Sequence, residues 1–84
     1  MGKNVEINAI DKLVSRRLKY RRRLLGITQK ELGISVGVSI QQIQKYEAGI
    51  NRISCGKLYA FAELLEVPVG YFFGDETDKL TIRK

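Results

Sequence analysis

Apolar residues recur along most of the chain at three- and four-residue intervals, the spacing of one helix face. No stretch alternates apolar and polar residues over strand length between hairpin turns, so the pattern predicts an all-α protein. Met1 to Ala9 carries no clear pattern and reads as a flexible arm over 1–9. The first helix is predicted roughly from Ile10 to Leu25, with Ile10, Leu13, Val14, Leu18 and Leu25 on the core stripe. Arg16, Lys19 and Arg23 occupy its opposite face, and Gly26 ends it as a left-handed cap. The second helix starts at Thr28, whose partner three residues on, Glu31, completes a capping box, with Ile27 and Leu32 as the hydrophobic staple. Gly37 stops it. The third repeats the grammar: Ser39 as N-cap, Gln42 as box partner, Val38 and Ile43 as staple, and a stop at Gly49. Ser54 caps a fourth helix, stapled by Ile53 and Leu58, whose Leu58, Phe61, Ala62 and Leu65 face the core. Pro68 ends that run and opens a last short helix, Val69 to Phe73. The organisation expected is a domain over 10–74 and a flexible tail over 75–84.

Size makes these caps matter. About 65 residues remain for the fold, and a domain so small buries only ~60% of its unfolded surface. Each cap contributes on the order of 1 kcal/mol, comparable in sum to the net stability expected.

Two short helices joined by about three residues cross steeply. Gly33 supplies the small residue where they touch, and Gly37 tolerates the positive φ of the turn. With Leu32, Val36, Val38, Ile43 and Tyr46 turned inward, the third helix presents Ile40, Gln41, Gln44 and Lys45 outward. Glutamine bonds adenine bidentately in the major groove, lysine reaches guanine acceptors, and an apolar side chain meets a thymine methyl. The bland readings are that both glutamines are plain helix formers and that Ile40 covers the turn. Thr28 and Ser39 stand at helix N-termini, whose free N–H groups attract phosphate.

Charge agrees with such a face without proving it. The 84 residues carry 15 basic and 9 acidic side chains, a net charge of +6. Met1–Lys57 holds 12 of the basic and 4 of the acidic residues, so the front is strongly positive and the remainder mildly acidic. The run Arg21-Arg22-Arg23 cannot face DNA as a unit, because successive helical residues point about 100° apart. Lys30 and Lys57 either touch phosphates or are solvated lysines.

The absence of histidine and the single Cys55 exclude a His-based triad, a Cys/His zinc site and a disulfide framework. An enzyme is therefore not expected, nor a cofactor, a metal or a small-molecule ligand. Cys55 is expected to be inert and partly buried. No apolar run nears the ~18 residues of a membrane span and the first ten residues lack a signal-peptide core, so a cytoplasmic protein is expected.

GITQKELG, GVSIQQIQKYEAG and LLEVPVGYFF stand in one register. In this the chain resembles the lambda-repressor-like helix-turn-helix family, the xenobiotic-response-element (Cro/C1-type) regulators, over about Val14 to Phe73. The resemblance implies a compact five-helix domain and a sequence-specific DNA-binding transcriptional regulator. Its reading helix, 40–48, would lie in the major groove of double-stranded DNA. By the same resemblance Ile40, Gln41, Gln44 and Lys45 are base-reading or near-base positions. Gln29 would meet a phosphate and brace the reading helix, Gln42 would meet a phosphate, and Asn51 and Arg52 would grip the sugar-phosphate strand. Arg22 and Glu47 match a partly buried ion pair. A homodimer on a palindromic operator is implied too. Part of the patch formed by Val69, Tyr71, Phe72 and Phe73 would then be the dimer surface; the alternative is that all of it is core. Two positions depart from the family: Arg21 stands where an apolar residue is usual, and Ile34 where a polar one is. An antitoxin-like or other protein-interaction module on the same fold is the rival reading.

Overall fold

Cap residues and glycines cut the chain where the pattern placed them. The computed structural model describes residues 7–74. Its elements are α1 (Ile7–Leu24), α2 (Gln29–Val36), α3 (Ile40–Glu47), α4 (Cys55–Leu65) and a 3-10 turn (Val69–Phe73). The architecture is all-α, but with four α-helices and a 3-10 turn in place of five helices. After Pro68, five residues close a single tight turn against α1 and α4, too few to build an α-helix of any length. The first helix begins three residues ahead of Ile10, the start expected from periodicity. Residues 1–6 of the expected arm and the expected tail lie outside the described residues. No described helix is long and apolar enough to cross a membrane.

All four α-helices end in the same way. An N–H two or three residues past each helix's last residue reaches back to the carbonyl five residues earlier: Ile27 to Arg22, Val38 to Gly33, Ile50 to Lys45 and Val67 to Ala62. Each such ending needs one residue in the left-handed region, where a Cβ crowds the backbone. Gly26, Gly37 and Gly49 fill three of these positions; Glu66, at φ 61°, fills the fourth. At the other ends, Thr28, Ser39 and Ser54 each accept a hydrogen bond from the backbone N–H three residues on.

The core sits where α1, α2, α3, α4 and the 3-10 turn converge. Leu18, Leu32, Ile43, Phe61, Leu65 and Phe72 are fully buried there. Tyr46 joins them, its ring edge-on to Phe61 with centroids 5.9 Å apart. Two members of the expected α1 stripe are exposed. Leu25 is 41% exposed because the helix has already ended at Leu24, and Ile10 is 37% exposed at the helix's open first turns. Cys55 is exposed as the first residue of α4, not partly buried.

The α2–α3 corner depends on Gly33. A Cβ there would lie 2.6 Å from the Val38 carbonyl oxygen, so the turn backbone rests directly on α2. Gly33→Ala is therefore expected to lower stability by about 1–3 kcal/mol in urea unfolding, the usual range for forcing a methyl into a packed site. Glu66→Gly should raise it by about 1 kcal/mol, since the left-handed strain at an exposed helix end disappears.

Candidate nucleic-acid interface

Helix α3 has two unlike faces. Ile43, Tyr46 and Glu47 are buried, whereas Ile40, Gln41, Gln44 and Lys45 are exposed. Gln42 is half-buried at the side. Eight residues make barely two turns, too short to be stable alone. The outer face is therefore held in place from within.

The holding group is the Arg22 guanidinium. Its Nε donates to Glu47 Oε2 at 2.6 Å and its Nη2 to Oε1 at 3.0 Å. Its Nη1 donates to the Ile27 carbonyl at 2.8 Å, pinning the turn after α1. Gln29, the first residue of α2, donates its side-chain N–H to Glu47 Oε1 at 3.0 Å. One carboxylate thus ties α1, α2 and α3 together. Both side chains are largely withdrawn from water, and the forked geometry satisfies each charge. Gln44 reaches toward Gln29 Oε1 at 3.4 Å, a long bond that leaves its amide exposed to solvent.

The two N-terminal caps differ. Around α2 the box is closed: Thr28 Oγ1 accepts from Glu31 N–H, and Glu31 Oε1 accepts from Thr28 N–H at 2.9 Å. Around α3 only half of it forms. Ser39 Oγ accepts from Gln42 N–H at 3.0 Å. Among the described residues, the Gln42 side chain does not return the bond, so its expected role as box partner is corrected. A neutral amide is a weaker acceptor than the Glu31 carboxylate, and the Ser39 N–H stays open at the helix mouth.

Arg52, in the loop between α3 and α4, donates its Nε to Asp11 Oδ2 at 3.0 Å. Its side chain remains 61% exposed, and Asn51 beside it is half-buried. Sequence reasoning missed Asp11, because nothing in the local pattern joins residues 41 positions apart. It also missed three cations that donate to backbone carbonyls of other elements. Arg21 Nε donates to Leu65 O at the end of α4, and Lys57 Nζ donates to Val36 O at the end of α2. Arg17 Nε donates to Tyr71 O, with its guanidinium 4.2 Å from the Tyr71 ring centroid. The departure at Arg21 was the available signal: a cation on a core-flanking position needs an acceptor.

The aromatic patch divides. Phe72 is fully buried in the protein's own core, which corrects its assignment to a dimer surface. It faces inward because the 3-10 turn is the lid under α1 and α4. Val69 is exposed, and Tyr71 and Phe73 are half-buried.

Two short capped helices crossing at a glycine, with the second exposing a polar edge, define a helix-turn-helix domain. Residues 18–72 match the HTH_3 helix-turn-helix family, and the chain belongs to that family of Cro/C1-type, non-enzymatic transcriptional regulators. It is 45% identical over 76 residues to an uncharacterized HTH-type transcriptional regulator, y4aM, of Sinorhizobium fredii, covering 90% of this chain and 53% of that protein. It is 49% identical over 69 residues to an uncharacterized transcriptional regulator in the ATPase CF(0) region of Rhodospirillum rubrum, covering 82% of this chain and 64% of that one. The chain spans about half the length of the first of these curated relatives. Among solved structures, the restriction-modification controller protein C.AhdI from Aeromonas hydrophila superposes with a TM-score of 0.72 at 22% identity, over 77% of this chain and 98% of that one. An HTH_3 family transcriptional regulator from Vibrio cholerae gives 0.75 at 22% identity, over 87% of this chain and 41% of its own. At such identities these two likenesses show the fold alone.

Because Glu47 answers a buried guanidinium, Glu47→Ala should cost about 3–5 kcal/mol in urea unfolding. The apolar pair Arg22→Met with Glu47→Leu should regain most of that loss, since neither charge is then left unpaired.

Proposed function

We propose that this protein is a sequence-specific regulator of transcription that acts in the cytoplasm on double-stranded DNA, with α3 in the major groove. The observation that carries this reading is that α3 buries Ile43, Tyr46 and Glu47 while leaving Gln41, Gln44 and Lys45 in solvent. Gln41 and Gln44 then read base edges, Lys45 reaches guanine acceptors, and Ile40 meets a thymine methyl. The open mouth of α3, at Ser39, aims N–H groups at a flanking phosphate, and at α2, where the box at Thr28 already occupies the Thr28 and Glu31 N–H groups, the remaining first-turn N–H groups do the same. Gln29 and Gln42 border those mouths and join them. Asn51 and Arg52 grip the strand on the far side of α3, with Asp11 fixing Arg52 through Nε and leaving its remaining N–H groups for phosphate. About six phosphates neutralised in this way give a slope of log K against log salt near −5.

One helix makes few base contacts, so two subunits on a palindromic operator supply the specificity. Val69, Tyr71 and Phe73 are the proposed dimer surface, with Phe72 anchoring it from beneath.

Selection from random duplexes tests the reading: a two-fold symmetric motif is expected, and recovery of unrelated sequences would refute it. On the selected site, Gln41→Ala should relax base preference by about 1–3 kcal/mol, the worth of one bidentate pair. Arg52→Ala should weaken every sequence alike; equal weakening by both changes would mean that Gln41 reads no base. Sedimentation over the micromolar range, free and with DNA, should show a dimer, and a strict monomer in both states removes that part of the proposal.

A further inference from the structure

The cations of α1 divide into two groups. Arg17, Arg21 and Arg22 are occupied inside the protein, on Tyr71 O, Leu65 O and Glu47. Lys12, Arg16, Lys19 and Arg23 are all exposed, and among the described residues none lies within ion-pairing distance of a carboxylate. Their spacings of four, three and four place them on one edge of the helix, within an arc of about 60°. The row runs roughly 16 Å, the rise of about five base pairs. It begins at the proposed interface: a shallow groove lined by Lys12, Ser15, Arg16, Glu47, Ala48 and Gly49 joins it to the last turn of α3. Like charges lined up on one edge repel one another, and an extended polyanion running along the row relieves that repulsion.

We propose that Lys12, Arg16, Lys19 and Arg23 form a second track for the DNA backbone, gripping phosphates outside the base pairs that α3 reads. This rests on α3 being the reading helix. The track contributes affinity and salt dependence, not base preference, because phosphate contacts carry no sequence information. It also lengthens the duplex needed for full binding.

The test uses the full chain and a variant with Lys12, Arg16, Lys19 and Arg23 all changed to Gln, plus Lys19→Gln alone as a lighter change. Circular dichroism verifies that both variants fold. Binding is measured by fluorescence anisotropy across salt, on a duplex carrying the selected site and one helical turn of flank. The fourfold variant should show a slope shallower by about 2 or more, near 0.9 for each phosphate it no longer neutralises, with its ranking of sites unchanged. Neutral methylphosphonates in the flank should then weaken the unaltered protein and leave the variant unaffected. If the slopes coincide, or if both proteins lose equally on the neutral flank, the track does not exist. An unaltered protein without base preference would instead overturn the reading of α3 itself, a separate failure.

Discussion

The structure depends on one carboxylate. Glu47 closes the last turn of α3, and its two oxygens receive Arg22 of α1 and Gln29 of α2. Without that convergence α3 would be a two-turn helix attached by loops at both ends, its rotation about its own axis fixed by apolar packing alone. A helix that reads bases must present its edge within a fraction of a side chain's reach, because bidentate bonds tolerate little error. Apolar packing of Ile43 and Tyr46 holds α3 against the core but is not directional; the forked ion pair supplies the direction. On the proposed reading, specificity begins with a group that lies behind the DNA-facing edge.

The same economy governs the helix ends. A chain of this size has a thin core, and each helix leaves four carbonyls unanswered at its C-terminus. Left-handed cap residues answer some of them at every α-helix. Arg21 and Lys57 answer two more by reaching across from a different helix, so each cation caps one element while docking another. Arg17 docks the 3-10 turn through Tyr71 O, which also accepts from the Gly74 N–H, and stacks on the Tyr71 ring as well. Positive charge that looks like a single basic surface in the sequence is thus split between internal staples and free side chains.

That split explains how far the sequence could be read. Helix starts were legible because Thr28, Ser39 and Ser54 act through bonds three residues long. The exposed edge of α3 was legible because helical spacing determines which residues share a face. Gln42 was misjudged because a glutamine at that position resembles a box partner whether or not it closes the bond. Leu25 and Phe72 were misjudged for a related reason: whether an apolar residue meets the core depends on where the helix ends and how the last turn folds back. Arg21, Lys57 and Asp11 were opaque since their partners lie 21 to 44 residues away. Arg22 and Glu47 were reached only through family likeness, not through local pattern.

The most direct test of a pre-aimed α3 is nuclear magnetic resonance of the backbone and side-chain amide groups as duplex DNA is added. The account predicts that the Gln41 and Gln44 amides shift and slow their exchange with water, while Phe61 and Leu65 in the core keep their free positions. It also predicts that the Gln29 amide, already bonded to Glu47, is slowed before any DNA is present. Large shifts at α4 or the 3-10 turn with the two α3 amides unmoved would contradict it.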